Sequence, residues 1–251
     1  MTYCVGLLLD EGIVMMSDTR TNAGIDNIST FRKMFVFEQP GERVIVLMTS
    51  GNLSVTQTVI AKLSHEIARE GASPQTSIML AETMLDVAEI VGTTLFDVSM
   101  TVRERMRKID AESSPSASMI VGGQRRGGKM RLFHIYREGN FIAATEDTPY
   151  LQIGEFKYGK PILDRVVRPE TSLEEGRKVA LLSMDSTMRS NLSVGMPLDL
   201  VVIPRDGYKL GSRERFEPGD PVFSAMSDAW SRVLREGFAN MATGPALPVG
   251  D

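Results

Sequence analysis

The chain has 251 residues, 42% of them hydrophobic, and a net charge of −4 spread over interleaved acids and bases: material for one domain with a sizeable core, without a polyanion-binding face. One cysteine, Cys4, excludes an intramolecular disulfide and a multi-cysteine metal site, and the two histidines, His65 and His134, lack metal-binding spacing. No apolar run approaches the ~20 residues of a membrane span, and the start lacks a basic-then-apolar signal pattern, so no nucleic-acid partner, no membrane and a cytoplasmic location are expected.

In chain order, Val5–Leu9 and Ile13–Met16 are short apolar runs around Asp10-Glu11-Gly12, the pattern of a buried β-hairpin. A turn centred near Glu11 sets Asp18 across from Cys4, within one or two residues of Thr2. Met34–Phe37 and Arg43–Met48 are two more strands, with Met15, Met16, Met34 and Met48 as core filler. A helix capped by Asn52 or Ser54 carries Val55, Val59, Ile60, Leu63 and Ile67 at helical spacing. After Gly71–Pro74 a longer helix, starting with Met79 and Leu80, runs to about Arg107. Ala111–Pro115 reads as a polar linker. Met119–Val121, Met130–Tyr136 and Phe141–Ala144 follow as a strand meander, with Gly122–Gly128 as its first hairpin loop.

Gly154 opens a loop into a helix over about 157–167, and Pro169–Ser172 caps the next, Leu173 to about Met188. Leu198–Ile203 and Tyr208–Leu210 make a final hairpin around Asp206-Gly207. An amphipathic helix at about 223–238 (Phe223, Met226, Trp230, Val233 and Leu234) and a loose end at 242–251 complete a single domain spanning 1–251. Strand pairs segregated from helix pairs suit an α+β fold of two antiparallel sheets with helices outside.

The opening hairpin has a chemical use. With Met1 removed, Thr2 carries both a hydroxyl and a free α-amine, a recognised nucleophile–base pair. The amine's ordinary pKa is about 8, and a nearby ammonium lowers it by like-charge repulsion. Lys33 is a candidate for that ammonium and Asp18 for the group that holds it, although Thr19–Arg32 is a long connection.

Thr2, Ser17-Asp18-Thr19-Arg20, Ala23-Gly24 and Arg32-Lys33 resemble the opening of proteasome β-subunits and of HslV. TYCVGLLLDEG, SDTRTNAG with DNISTFRK, and SNLSVG resemble, more specifically, the bacterial Anbu (ancestral β-subunit) family. The resemblance spans roughly Thr2 to the helix after Pro218. It implies the four-layer αββα sandwich of N-terminal nucleophile hydrolases. It implies a threonine-type peptidase with no metal or organic cofactor, assembled as a homo-oligomeric ring or open spiral, acting on peptide or amide substrates. Any ATP-driven unfolder would be a separate protein. By position, the resemblance makes Thr2 the nucleophile, Asp18 and Lys33 its partners, Gly51 the oxyanion donor and Ser193 a further site residue. Arg20, Asn22 and Thr49 fall at substrate-binding positions.

The chain also departs from that pattern. Lys33 comes one residue early, leaving Arg32 as an adjacent contender. Asn22 replaces a threonine, and Gly154-Glu155-Phe156 replaces a Gly-Ser-Gly segment. Ser190 stands where relatives carry an aspartate, with Asp185 further back. Weak or highly selective activity is the corresponding expectation, with a non-proteolytic amidase or an assembly scaffold with a vestigial site as alternatives.

Overall fold

The computed structural model describes residues 2–22, 28–109 and 116–241. Met1, Ala23-Gly24, the expected linker 111–115 and the expected loose end 242–251 lie outside the described residues. The chain divides after Pro218 into two compact units.

The first unit opens with β1 (Tyr3–Leu9) and β2 (Gly12–Asp18), joined by the two-residue turn Asp10-Glu11. Their register pairs Cys4 with Ser17 and Leu9 with Gly12, one residue tighter than the expected match of Cys4 with Asp18. Next come the short strands β3 (Arg20–Asn22) and β4 (Ile28–Thr30), which form a two-stranded ribbon inside the stretch read as a plain connection. β5 (Met34–Gln39) and β6 (Arg43–Gly51) follow, then α1 (Leu53–Ala68) and α2 (Met84–Arg107). Asn52 caps α1 by accepting the Val55 N–H.

The longer helix begins later than its apolar pattern suggested. Met79 and Leu80 lie in turns, and α2 starts at Met84 behind a reciprocal capping box between Thr83 and Asp86. The box satisfies N–H groups that a longer helix would have to satisfy elsewhere.

Four strands follow rather than three: β7 (Ala117–Arg125), β8 (Arg131–Ile135), β9 (Phe141–Ala143) and β10 (Tyr150–Gly154). Gly122 to Arg125, read as loop, belong to β7, and the turn is confined to the residues after them. Then come α3 (Lys160–Val166) and α4 (Leu173–Ser190), whose Ser172–Glu175 capping box starts the second helix where expected. The closing hairpin is β11 (Leu198–Pro204) with β12 (Ser212–Phe216). Its second strand lies beyond Tyr208–Leu210, because Asp206 and Tyr208 both take positive φ angles that belong to a turn.

The strands form two five-stranded antiparallel sheets, in the orders β10-β1-β2-β11-β12 and β5-β6-β7-β8-β9. Their facing sides share one core that includes Cys4, Ile13, Met15, Val46, Met48, Ile120, Leu132 and Val201. The opposite face of the second sheet, with Ile45, Leu47, Val121 and Phe133, packs against Val55, Val59, Ile90 and Leu95 of α1 and α2. On the outer face of the first sheet, α4 brings Gly176 against Leu7, Leu9 and Val14, and α3 packs on α4. This is the four-layer αββα sandwich. Each fully buried side chain of the size of Leu7 or Met15 contributes about 1.5–3 kcal/mol of transfer free energy. That large apolar reserve holds a few buried charges in place.

The second unit contains α5 (Pro221–Asn240), started by Asp220, whose side chain accepts the Val222 and Phe223 N–H groups, with Pro221 in the first turn. Val233 and Leu234, expected on its apolar face, are exposed. No helix among the described residues is long and apolar enough to cross a membrane.

Candidate active site

The tight turn of the first hairpin sets the site. It carries Asp18 to the end of β2, beside the start of β1, where the Tyr3 N–H donates to Oδ1 at 3.1 Å. Lys33 Nζ donates to the same oxygen at 2.7 Å, and the Gly195 N–H donates to Oδ2 at 3.3 Å. Lys33 Nζ also donates to the Arg20 carbonyl at 2.5 Å. Asp18 is wholly buried and Lys33 nearly so, at 0% and 4% exposure. Of the adjacent candidates Arg32 and Lys33, Lys33 reaches Asp18, while Arg32 is exposed. The ribbon β3–β4 makes this possible: it folds the long connection back on itself, so that Lys33 returns to the end of β2.

Burial pushes the Asp18 carboxyl above its ordinary value, opposed by the Lys33 ammonium and by the Tyr3 and Gly195 N–H groups. Removing water from a carboxylate costs more than one neighbouring charge returns. Cys4, on the adjoining face, points Sγ at the Thr49 carbonyl at 3.7 Å. Burial first, and Asp18 second, push its thiol upward, which keeps the sulfur protonated and unreactive.

Thr2 is 6% exposed, and its carbonyl accepts the Glu155 N–H at 2.7 Å. It lines a cavity of about 480 Å³ together with Thr21, Lys33, Thr49, Gly51 and Glu155. Four expected residues therefore meet here: Thr2, Lys33, Thr49 and Gly51, with Asp18 directly behind Lys33. Thr49 also donates its backbone N–H to the Lys33 carbonyl at 2.9 Å, which ties the end of β6 to the lysine.

Two glycines shape the wall. Gly51 has φ +105°, and a Cβ there would run into the Ser116 carbonyl oxygen. Gly154 has φ +83°, and a Cβ there would strike the carbonyl of Thr2. Gly51→Ala is expected to cost about 2–4 kcal/mol, combining left-handed backbone strain with the clash. Urea unfolding of the variant measures it; a change below about 1 kcal/mol would show that the wall is more compliant than this contact implies.

Other expected residues lie elsewhere. Arg20 donates from Nη1 to the Leu192 carbonyl at 2.8 Å, and its guanidinium lies where a Cβ on Gly195 would be. It thereby fixes the loop that presents the Gly195 N–H to Asp18. Ser193 belongs to the same loop, its N–H donating to Asn191 Oδ1 at 2.9 Å, and among the described residues it does not line the cavity. The side chain of Asn22 lies outside the described part of the structure, and the neighbouring Thr21 lines the cavity. Asp185, buried in α4, accepts from Arg189 at 3.2 Å, whereas Ser190 is exposed at the helix end.

The sequence reading missed Thr21, Leu53, Thr56 and Glu155 as cavity residues. Glu155 was noted as a departure from a motif rather than as a side chain with its own place in the wall.

Comparison with known proteins places the fold. The proteasome-subunit family model matches residues 2–203. The proteasome subunit beta 2 of Pyrococcus furiosus is 26% identical over 213 residues, 83% of this chain and 89% of that protein. A crystal form of an Anbu (Gly-1) mutant from Hyphomicrobium sp. strain MC1 superposes with a TM-score of 0.89 at 44% identity, covering 98% of this chain and 100% of that one. The helical assembly of the Anbu complex from Pseudomonas aeruginosa gives a TM-score of 0.86 at 44% identity, covering 97% of this chain and 98% of that one.

Proposed function

The chain belongs to the proteasome-subunit family and within it to the Anbu branch, and from that membership we propose that it is a threonine-type N-terminal nucleophile hydrolase cleaving peptide or amide bonds through Thr2 once Met1 has been removed. One observation carries the reading. A buried ammonium, Lys33, bound to Asp18 and to the Arg20 carbonyl, lines the same cavity as Thr2.

In this reading the reaction is acyl transfer. The Thr2 hydroxyl adds to the amide carbonyl while its own α-amine accepts the proton, directly or through one water. Lys33 keeps the amine's pKa low by like-charge repulsion, so that it is unprotonated near neutral pH. Asp18 holds Lys33, and Arg20 supports both through its carbonyl and the 191–195 loop. The Gly51 N–H stabilises the oxyanion, an effect typically worth about 3–4 kcal/mol for one preorganised donor. The tetrahedral adduct collapses, the C–N bond breaks and the leaving amine takes the proton held by the α-amine. A water then attacks the Thr2 ester, with the α-amine again as base, and releases the acid. Thr49 and Asn22 align the substrate backbone, and Ser193 supports the site from its loop. Homo-oligomeric assembly in a ring or open spiral, and a cytoplasmic location, belong to the same reading; the Pseudomonas aeruginosa relative forms a helical assembly.

Intact mass of the protein purified from cells, before and after incubation with a peptide epoxyketone, tests this. That warhead needs both a hydroxyl and an amine on one residue. Loss of Met1 and gain of one inhibitor mass is the expected result. A retained Met1 with no adduct would favour the scaffold alternative.

A further inference from the structure

The cavity at Thr2 has an uneven charge. Among the described residues lining it, Lys33 and Glu155 carry the charged side chains. Lys33 is paired with Asp18 at 2.7 Å, so its charge acts on the groups next to it and is largely offset farther along the cavity. Glu155 has no such match: among the described residues its side chain forms neither an ion pair nor a hydrogen bond, and it is half-buried in the wall. Its place is rigid, because its N–H is tied to the Thr2 carbonyl at 2.7 Å and the preceding Gly154 ends β10, which pairs with β1. The rest of the wall (Thr21, Thr49, Ser50, Asn52, Leu53) is neutral.

We infer that Glu155 makes this cavity selective for substrates that carry a basic side chain flanking the bond to be cut. The inference rests on the reading of Thr2 as nucleophile. Its physical basis is an unpaired carboxylate, borne on a backbone position tied to Thr2, in a partly water-excluded wall, where a cation gains an attraction and an anion meets a repulsion. A neutral wall with a matched Lys33–Asp18 pair would discriminate on shape alone.

The test uses three peptide epoxyketones identical except for one flanking residue: lysine, norleucine or glutamate. Rates of adduct formation are followed by intact mass on the assembled protein, at low and at high salt. The lysine compound should react faster than the glutamate compound by roughly fivefold, the ratio that about 1 kcal/mol for a partly exposed ion pair represents. Salt should shrink the ratio by screening. Glu155→Gln should bring the ratio toward one, and Glu155→Lys should invert it; thermal melts of both confirm folding, and the Gln variant decides if the Lys variant is unstable. Adducts whose lysine-to-glutamate ratio is the same in wild type and Glu155→Gln would overturn the inference while leaving the Thr2 reading intact. A Glu155→Gln change that moves the pH midpoint of all three compounds equally and leaves their ratio unaltered would overturn it in the same way, as the signature of a carboxylate serving the Thr2 amine instead. No adduct with any compound, on protein that has lost Met1, would overturn the Thr2 reading and this inference with it.

Discussion

Thr2→Ala is expected to lower peptide or amide hydrolysis by about 10⁴- to 10⁶-fold, the scale on which removing a catalytic nucleophile acts. The side chain removed is small, and Thr2 is held through its backbone: its carbonyl accepts the Glu155 N–H. The Lys33–Asp18 pair does not depend on the hydroxyl, because the lysine nitrogen is bound to Asp18 and to the Arg20 carbonyl. The variant should therefore fold, assemble and melt like wild type, with a stability change of about 1 kcal/mol or less. The measurement is a paired one: hydrolysis of a fluorogenic peptide together with a sedimentation profile. Residual hydrolysis at the wild-type rate would end the assignment of Thr2 as nucleophile. Loss of activity together with loss of assembly would give Thr2 a structural role instead, so the sedimentation result is part of the prediction.

Lys33→Ala should have the second-largest effect, and a different one. It removes the cation from a carboxylate that has no exposure to water, leaving Asp18 held by the Tyr3 and Gly195 N–H groups. Breaking a buried pair from one side typically costs about 3–5 kcal/mol. The pH dependence has a definite sign. Burial already holds the Asp18 carboxyl above its ordinary value, and losing Lys33 moves it further in that direction. The folded variant then keeps a proton that the unfolded chain releases, so its stability falls as pH rises from the ordinary carboxylate range through the raised folded value. Acidification should recover part of the lost stability. Urea melts of Lys33→Ala at mildly acidic and mildly alkaline pH, set against wild type, check this. A destabilisation that is flat across that interval would mean that Asp18 stays ionised without its partner. The double variant Asp18→Asn/Lys33→Met, which removes both charges, should regain most of the stability and none of the activity. That result would separate the pair's role in folding from its proposed role on the Thr2 amine.

Much of this was legible from local pattern. The apolar runs Val5–Leu9 and Ile13–Met16 around Asp10-Glu11-Gly12 read directly as a hairpin, and the Asn52 and Ser172 caps marked helix starts that the structure shares. The misreadings share a cause. The apolar spacing at Met79 and Leu80 continues a helix on paper, yet Thr83 and Asp86 form a local capping box that starts it later. β10 is five residues long and exists because it pairs with β1, more than a hundred residues earlier in the chain, so no window around Tyr150 contains the reason for it. The ribbon β3–β4 is shorter still, and only its pairing of Arg20 with Thr30 and Thr21 with Ser29 turns a long connection into a return path.

The sequence by itself determined the layered α+β architecture, the closeness of Asp18 to the start of β1 and the presence of a threonine that could carry its own base. These follow from period and turn chemistry, which act over a few residues. Which cation meets Asp18, that Arg20 serves the 191–195 loop, and that Glu155 faces the cavity were decided only by tertiary structure. Each depends on contacts between segments far apart in sequence: Lys33 with Asp18 across the ribbon, Arg20 with Leu192, and Glu155 with Thr2. A buried charge has to find its partner in three dimensions, because desolvation makes any other position costly, and that constraint is not written in the spacing of either residue.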